Sequence, residues 1–203
     1  VKIDSNIKQN VVFLKPGEEV GLKDRETGQL KFDLLEDERE LSKATNERDW
    51  TAPDTNRKIV RAVATYIRQQ EQDLGHFPKT LVFACNDLPH TSHADQLVEL
   101  LREEFGHGDE FVKKITGSPS VDRPLQRIRE FRNRPETGIA VTVDLLSTGV
   151  DIPALENIVL LRGIQSRILF EQILGRGTRR CDAINKTHFT VFDAAGLLEY
   201  FQN

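Results

Sequence analysis

Ten arginines fall between residues 123 and 180: Arg123, Arg127, Arg129, Arg132, Arg134, Arg162, Arg167, Arg176, Arg179 and Arg180. A guanidinium is a planar fork of donors matched to phosphate oxygens, whether on a nucleotide or on a nucleic-acid backbone. Residues 111–180 carry 12 Lys and Arg against 7 Asp and Glu, whereas residues 1–110 carry 15 against 22. The net charge of −4 hides this asymmetry. Taken one at a time, the arginines are better explained as solvated helix faces, so clustering alone selects no function. His90 and His93 have the spacing of a metal pair but no second pair of ligands nearby, and a satisfied or solvated pair is the plainer account. No metal site is expected in this chain. There is no G-x-x-x-x-G-K-[ST] phosphate loop and no G-x-G-x-x-G opening a helix, so neither a self-contained nucleotide site nor a dinucleotide site is supported.

The elements that must position these residues follow from hydrophobic patterning. The chain has 203 residues, 38% apolar and 30% charged, which suits one α/β domain with an appendage. No stretch approaches the roughly 18 apolar residues of a membrane span, so no membrane association is expected. Two cysteines, Cys85 and Cys181, make no disulfide framework and point to a reducing compartment. Residue 1 is Val1 and the chain holds no methionine, which fits a processed or excised segment. Residues 1–53 read as an N-terminal arm or insertion with little core of its own: a strand at Val11–Leu14, then a β-hairpin whose tip is Asp24–Gly28.

Residues 54–203 read as the main domain. Asp54 or Thr55 caps a helix from Asn56 to about Gln70, with Ile59, Val60, Val63, Ala64 and Ile67 at helical spacing. Leu81–Cys85 is a continuous apolar run, the mark of a strand buried on both faces, and Phe111–Ile115, Ile139–Val143, Ile158–Leu161 and Thr187–Phe192 read as further strands. Between them lie helices at Ser92–Phe105, at Asp122–Phe131 with Leu125, Ile128 and Phe131 inward, and from Ser166 to about Leu174, ended by Gly175 or Gly177. This alternation predicts a parallel sheet flanked by helices. In such a sheet the functional loops lie at the C-terminal strand ends: Cys85–Ser92, Thr116–Ser120, Asp144–Pro153 and Arg162–Gln165. Asp144–Pro153 and the start of the third of these helices are therefore expected on one rim.

Three stretches together are specific. Thr80-Leu-Val-Phe-Ala84 leads through a loop to His93-Ala94. Residues 141–153 read V-T-V-D-L-L-S-T-G-V-D-I-P, and residues 166–180 read S-R-I-L-F-E-Q-I-L-G-R-G-T-R-R, containing Q-x-x-G-R-x-x-R. In order and spacing these resemble motifs IV, V and VI of superfamily-2 helicases and translocases, which make up the second RecA-like domain of the motor, a P-loop-NTPase-type fold. The version here is most similar to the R (motor) subunit of type I restriction enzymes, over roughly residues 79–196.

The resemblance implies a C-terminal motor domain of an ATP-dependent DNA translocase. ATP and Mg²⁺ would be held mainly by a preceding RecA-like domain, so this chain alone would bind ATP weakly and hydrolyse none. Arg176 and Arg179 would reach the γ-phosphate across the cleft, and Gln172 would hydrogen-bond there. Gly149 and Gly175 would allow close backbone approach, and Asp151 would bind the ribose or orient motif VI. Asn86, Thr116, Gly117, Ser147 and Thr148 would grip the DNA backbone. Val143 and Thr148 stand where DEAD-box proteins have Thr and Arg, a departure that fits duplex translocation better than strand separation. Implied partners are duplex DNA, the preceding domain, and methyltransferase and specificity subunits, in a prokaryotic cytoplasm. The alternatives are half of another superfamily-2 DNA or RNA helicase, or a non-catalytic RecA-like binding module. For Arg176 and Arg179 the plainer account is a pair of cations favourable to a helix C-terminus.

Overall fold

The computed structural model describes residues 8–13, 20–23, 30–33, 53–144 and 150–202. In chain order the elements are β1 (Lys8–Phe13), β2 (Val20–Lys23), β3 (Leu30–Asp33), α1 (Pro53–Leu74), β4 (Lys79–Phe83), α2 (His93–Phe105) and β5 (Val112–Lys114). Then come α3 (Pro124–Asn133), β6 (Ile139–Thr142), β7 (Leu155–Leu160), α4 (Arg167–Gly177), a 3₁₀ turn (Asp182–Ile184), β8 (His188–Asp193) and α5 (Leu197–Gln202). Six strands form one parallel sheet in the order β1-β8-β7-β4-β6-β5, and β2 and β3 pair as a separate antiparallel hairpin.

The continuous apolar runs are explained by a core on each face of the sheet. Leu81, Phe83, Ala140, Ile158, Leu160, Phe189 and Val191 pack against Ile128 and Phe131 of α3, Phe170, Ile173 and Leu174 of α4, and Leu197 and Leu198 of α5. The alternate strand residues Val82, Ala84, Ile139, Val141, Val159 and Phe192 pack against Val60, Val63 and Ile67 of α1 and Leu97, Val98 and Leu101 of α2. Every described residue of β4, β6 and β7 is buried, as two-sided coverage requires. Asn157 stands in the middle of this apolar layer. Its amide donates to Gln70 Oε1 (2.8 Å) and Thr80 Oγ1 (3.2 Å), so α1 is docked by a satisfied buried polar contact.

Several expectations are corrected. The arm strand starts earlier, at Lys8, and joins the main sheet as an edge beside β8. α1 begins at Pro53, ahead of the expected cap at Asp54 or Thr55; proline at the first helical position lacks only a donor that has no partner there anyway. Leu125 points outward, 54% exposed, while Ile128 and Phe131 are buried; the buried face of the ten-residue α3 is confined to its later turns. α4 passes through Gly175 and ends at Gly177. A Cβ at Gly177 would lie 2.3 Å from the Phe189 ring, so this glycine serves close helix–sheet approach.

Candidate functional site

The candidate residues fall into two groups at opposite edges of the sheet. At the C-terminal edge, the loops after β4 and β5 meet on Asp87. Its carboxylate accepts from Ser92 Oγ (2.7 Å), from Thr116 Oγ1 and from Lys114 Nζ (3.0 Å). Lys114 also reaches Asp95 at 2.7 Å. Burial would raise the Asp87 carboxyl, but the hydrogen bonds from Thr116, Ser92 and Lys114, with the Lys114 charge, hold it below the usual carboxylate range. Burial would likewise lower Lys114, and Asp95 and Asp87 hold it above the ordinary lysine value.

Thr116 is buried with its hydroxyl committed to Asp87, while Gly117 beyond it is exposed. Asn86 Oδ1 accepts from the His93 amide (3.2 Å), and its carbonyl accepts from Ala94 N (3.1 Å). Asn86 therefore shapes the entry to α2, whose cap is Ser92. His93 is buried, its Nδ1 accepting from Cys85 N at 3.0 Å, and burial pushes its pKa down to about 4. His90 is exposed and does not share this environment. Among the described residues no group of three or more His, Cys, Asp or Glu could hold a metal ion.

The second group corrects the expectation of a single rim. Ser166 caps α4 at the C-terminal end of β7, accepting from Leu169 N, but the helix runs back alongside the strands. Its end reaches the start of β8, where Gly177 meets Phe189. Val150–Pro153 leads directly into the start of β7. The two segments meet there. Arg176 Nη1 donates to the Val150 carbonyl (2.6 Å), and Arg179 Nε lies 3.4 Å from Asp151 Oδ1. The Arg179 side chain is 65% exposed and Asp151 41%. Gln172, Gly175 and Arg176 follow helical i, i+3, i+4 spacing and share one face, and Arg179 lies just beyond the helix end. Gln172 is exposed, and nothing lies within 4 Å of a Cβ built on Gly175. Ser147, Thr148 and Gly149 lie outside the described residues.

Sequence reading missed the residues that fasten both groups. Asp87 and Lys114 look like ordinary surface charges in sequence. So does Lys186, which is buried; its ammonium donates to the carbonyls of Pro153 (3.1 Å), Gly177 (2.8 Å) and Arg179 (2.9 Å). Arg162, after β7, reaches across to the Val143 carbonyl at 2.6 Å. A lone lysine just before an apolar strand carries no signal that it ends a helix elsewhere.

Residues 62–181 match the family described as helicase conserved C-terminal domain, more than half of the chain. The chain is 37% identical over 204 residues to the type I restriction enzyme EcoKI endonuclease subunit of Escherichia coli strain K12, covering 97% of this chain and 17% of that protein. It is 32% identical over 168 residues to the EcoAI endonuclease subunit of Escherichia coli, covering 81% and 20%. The chain thus spans a fifth or less of the length of these curated relatives. Among solved structures, a fragment assigned to an HsdR subunit of a type I restriction enzyme from Vibrio vulnificus superposes with a TM-score of 0.58 at 28% identity, over 73% of this chain and 29% of that one. No described helix is long and apolar enough to cross a membrane. The parallel sheet with helices on both faces is a RecA-like helicase fold, and the chain belongs to the helicase conserved C-terminal domain family, in a form similar to that of type I restriction enzyme endonuclease subunits.

Proposed function

We propose that this chain is the second motor domain of an ATP-dependent DNA translocase, within the R subunit of a type I restriction enzyme. Arg176 and Arg179 supply guanidinium groups to the γ-phosphate of ATP held on a preceding RecA-like domain. The observation that carries this reading is the convergence of Arg176, in the last turn of α4 one turn on from Gln172, and Arg179, just beyond the helix, on Val150 and Asp151. Two guanidinium groups and an amide form a donor set matched to phosphate oxygens. Mg²⁺ belongs to the preceding domain in this reading. Charge that develops on a transferred phosphoryl group is stabilised by such an arginine, generally worth about 10³–10⁵ in rate. Asp151 orients Arg179 in the open state. Gly149 and Gly175 keep the approach to the cleft free of side chains.

At the opposite edge, Asn86 and Gly117 face the phosphate backbone of duplex DNA, with Thr116 anchoring its loop from beneath; Ser147 and Thr148 are assigned the same role by resemblance alone. Backbone contacts suit a translocase because they carry no sequence information. Methyltransferase and specificity subunits in a prokaryotic cytoplasm complete the setting.

The test is ATP turnover by the full-length subunit with its partner subunits and DNA. Arg176→Ala should abolish turnover and translocation while leaving DNA binding largely intact. Unchanged turnover in that variant would end the reading. Stimulation by RNA rather than duplex DNA would instead favour an RNA helicase.

A further inference from the structure

Lys186 lies outside the three motifs, between the 3₁₀ turn and β8. Its residue is 8% exposed. An ammonium has three N–H donors and no acceptor, and here each donor has a backbone carbonyl. The three carbonyls are not a random set. Gly177 is the last residue of α4, where helix carbonyls have no partner of their own. Arg179 is one of the two candidate arginines. Pro153 ends the short segment that carries Val150 and Asp151, the partners of Arg176 and Arg179. One buried cation thus joins, from beneath, the two segments whose relative position sets where both guanidinium groups point.

We infer that Lys186 is a positioning residue for ATP hydrolysis, holding the end of α4 against Val150–Pro153 so that Arg176 and Arg179 are pre-set for the phosphate. It acts through backbone carbonyls and does not touch nucleotide. The inference rests on the arginine reading above and adds a residue to it.

The ammonium also gives this arrangement a titration. Burial pushes Lys186 down to about 8, outweighing the titratable groups that face it: Glu156 of β7, Cys181 of the loop after α4 and Asp151 of the adjoining segment. Arg179 faces the same spot but is paired with Asp151. Above that pH the neutral amine has two N–H donors and a lone pair for three carbonyls, so one carbonyl loses its donor and the junction loosens. A pre-set arginine acts on the chemical step, while the nucleotide is held by the other domain, so the effect falls on kcat and not on KM for ATP.

The experiment is steady-state ATP turnover by the full-length subunit, with partner subunits and duplex DNA, from about pH 6.5 to 9.5. Four proteins are compared: wild type, Lys186→Met, Lys186→Arg and Arg176→Ala. Wild type should lose kcat on the alkaline side with a midpoint near 8 and unchanged KM. Lys186→Met should lose kcat by about tenfold or more at neutral pH and show no alkaline limb. Lys186→Arg, which does not titrate in this range, should keep most of the rate and also lack the limb. Lys186→Met within about twofold of wild-type kcat, beside an inactive Arg176→Ala, overturns the inference and leaves the arginine reading standing. Full turnover in Arg176→Ala overturns the reading and the inference with it. If the Lys186 variants do not fold, the wild-type profile decides: a flat kcat through pH 8 overturns the inference.

Discussion

Two buried lysines end two helices on the same face of the sheet. Lys79, at the start of β4, donates to the carbonyls of Phe131, Arg134 (2.9 Å) and Thr137 (3.1 Å), which end α3 and lead into β6. Lys186 does the same for α4 and the start of β7. Burial pushes each down to about 8. A glycine accompanies each lysine, pressed against aromatic rings: Gly138 under Phe111 and Phe77, Gly177 under Phe189. An arginine closes each helix end. The difference lies in what those arginines face. Arg134 stands within 3.9 Å of both Glu110 and Glu130. Among the described residues Arg179 pairs with Asp151, and Arg176 with a neutral carbonyl. The same backbone device therefore serves packing at one helix end and a candidate site at the other, and the nearby carboxylates decide which.

The largest contrast is expected between the two arginines. In the full-length subunit, Arg179→Ala should lower DNA-stimulated ATP turnover by about 10³, whereas Arg134→Ala should stay within about twofold. Equal losses would erase the distinction. Next come the lysines themselves. Lys79→Met should change thermal stability and leave kcat untouched, whereas Lys186→Met should lower kcat by about tenfold. Both lysines titrate near 10.5 when unfolded and about 8 when folded. The unfolded state holds more protons between those values, so each lysine makes stability rise with pH across that window. Each Met variant should flatten that rise in denaturant midpoints measured at pH 8 and above, while turnover moves only for Lys186.

His93 offers a control from the other edge of the sheet. Its folded pKa of about 4 lies below the ordinary histidine value of 6.5, so the unfolded state takes up its proton first as pH falls. Stability should be lost between about pH 6.5 and 4, by on the order of 3 kcal/mol. The loss should be the same in wild type and in both lysine variants, as urea midpoints would show. The glycines come last. Gly138→Ala and Gly177→Ala should each cost about 1–3 kcal/mol through overpacking, measured by thermal melting. Only Gly177→Ala should also lower turnover.

Much of this architecture was legible before any coordinates. Leu81–Cys85 and Ile139–Val143 read as strands because both of their faces are covered, which leaves no polar alternation to confuse them. Ser166 and the apolar run after it placed α4, with Arg176 and Arg179 at its C-terminal end. The level at which those arginines sit was not legible. A ten-residue connection such as Asp144–Pro153 can span roughly 33 Å when extended, more than the roughly 20 Å height of a six-residue strand. Sequence alone could not say whether its far end stays on the upper rim or descends to the start of β7. The fasteners were hidden for a different reason: Asp87, Lys114, Lys79 and Lys186 are charged types that composition assigns to the surface, and only tertiary contacts bury them. Leu125 erred the other way, an apolar residue at helical spacing that the fold leaves 54% exposed.

The edge pairing of β1 with β8 has a consequence in time. Lys8 pairs with His188 and Phe13 with Asp193, so β1, made well before β8, waits for it. At ribosomal speeds of about 5–20 residues per second that wait is roughly 10–40 s. Through it, Lys8–Phe13 has no native strand beside it, and its Val11-Val12-Phe13 end is open to pairing with another nascent chain. Yield during synthesis, more than the stability of the finished sheet, is where substitutions in this strand should register first.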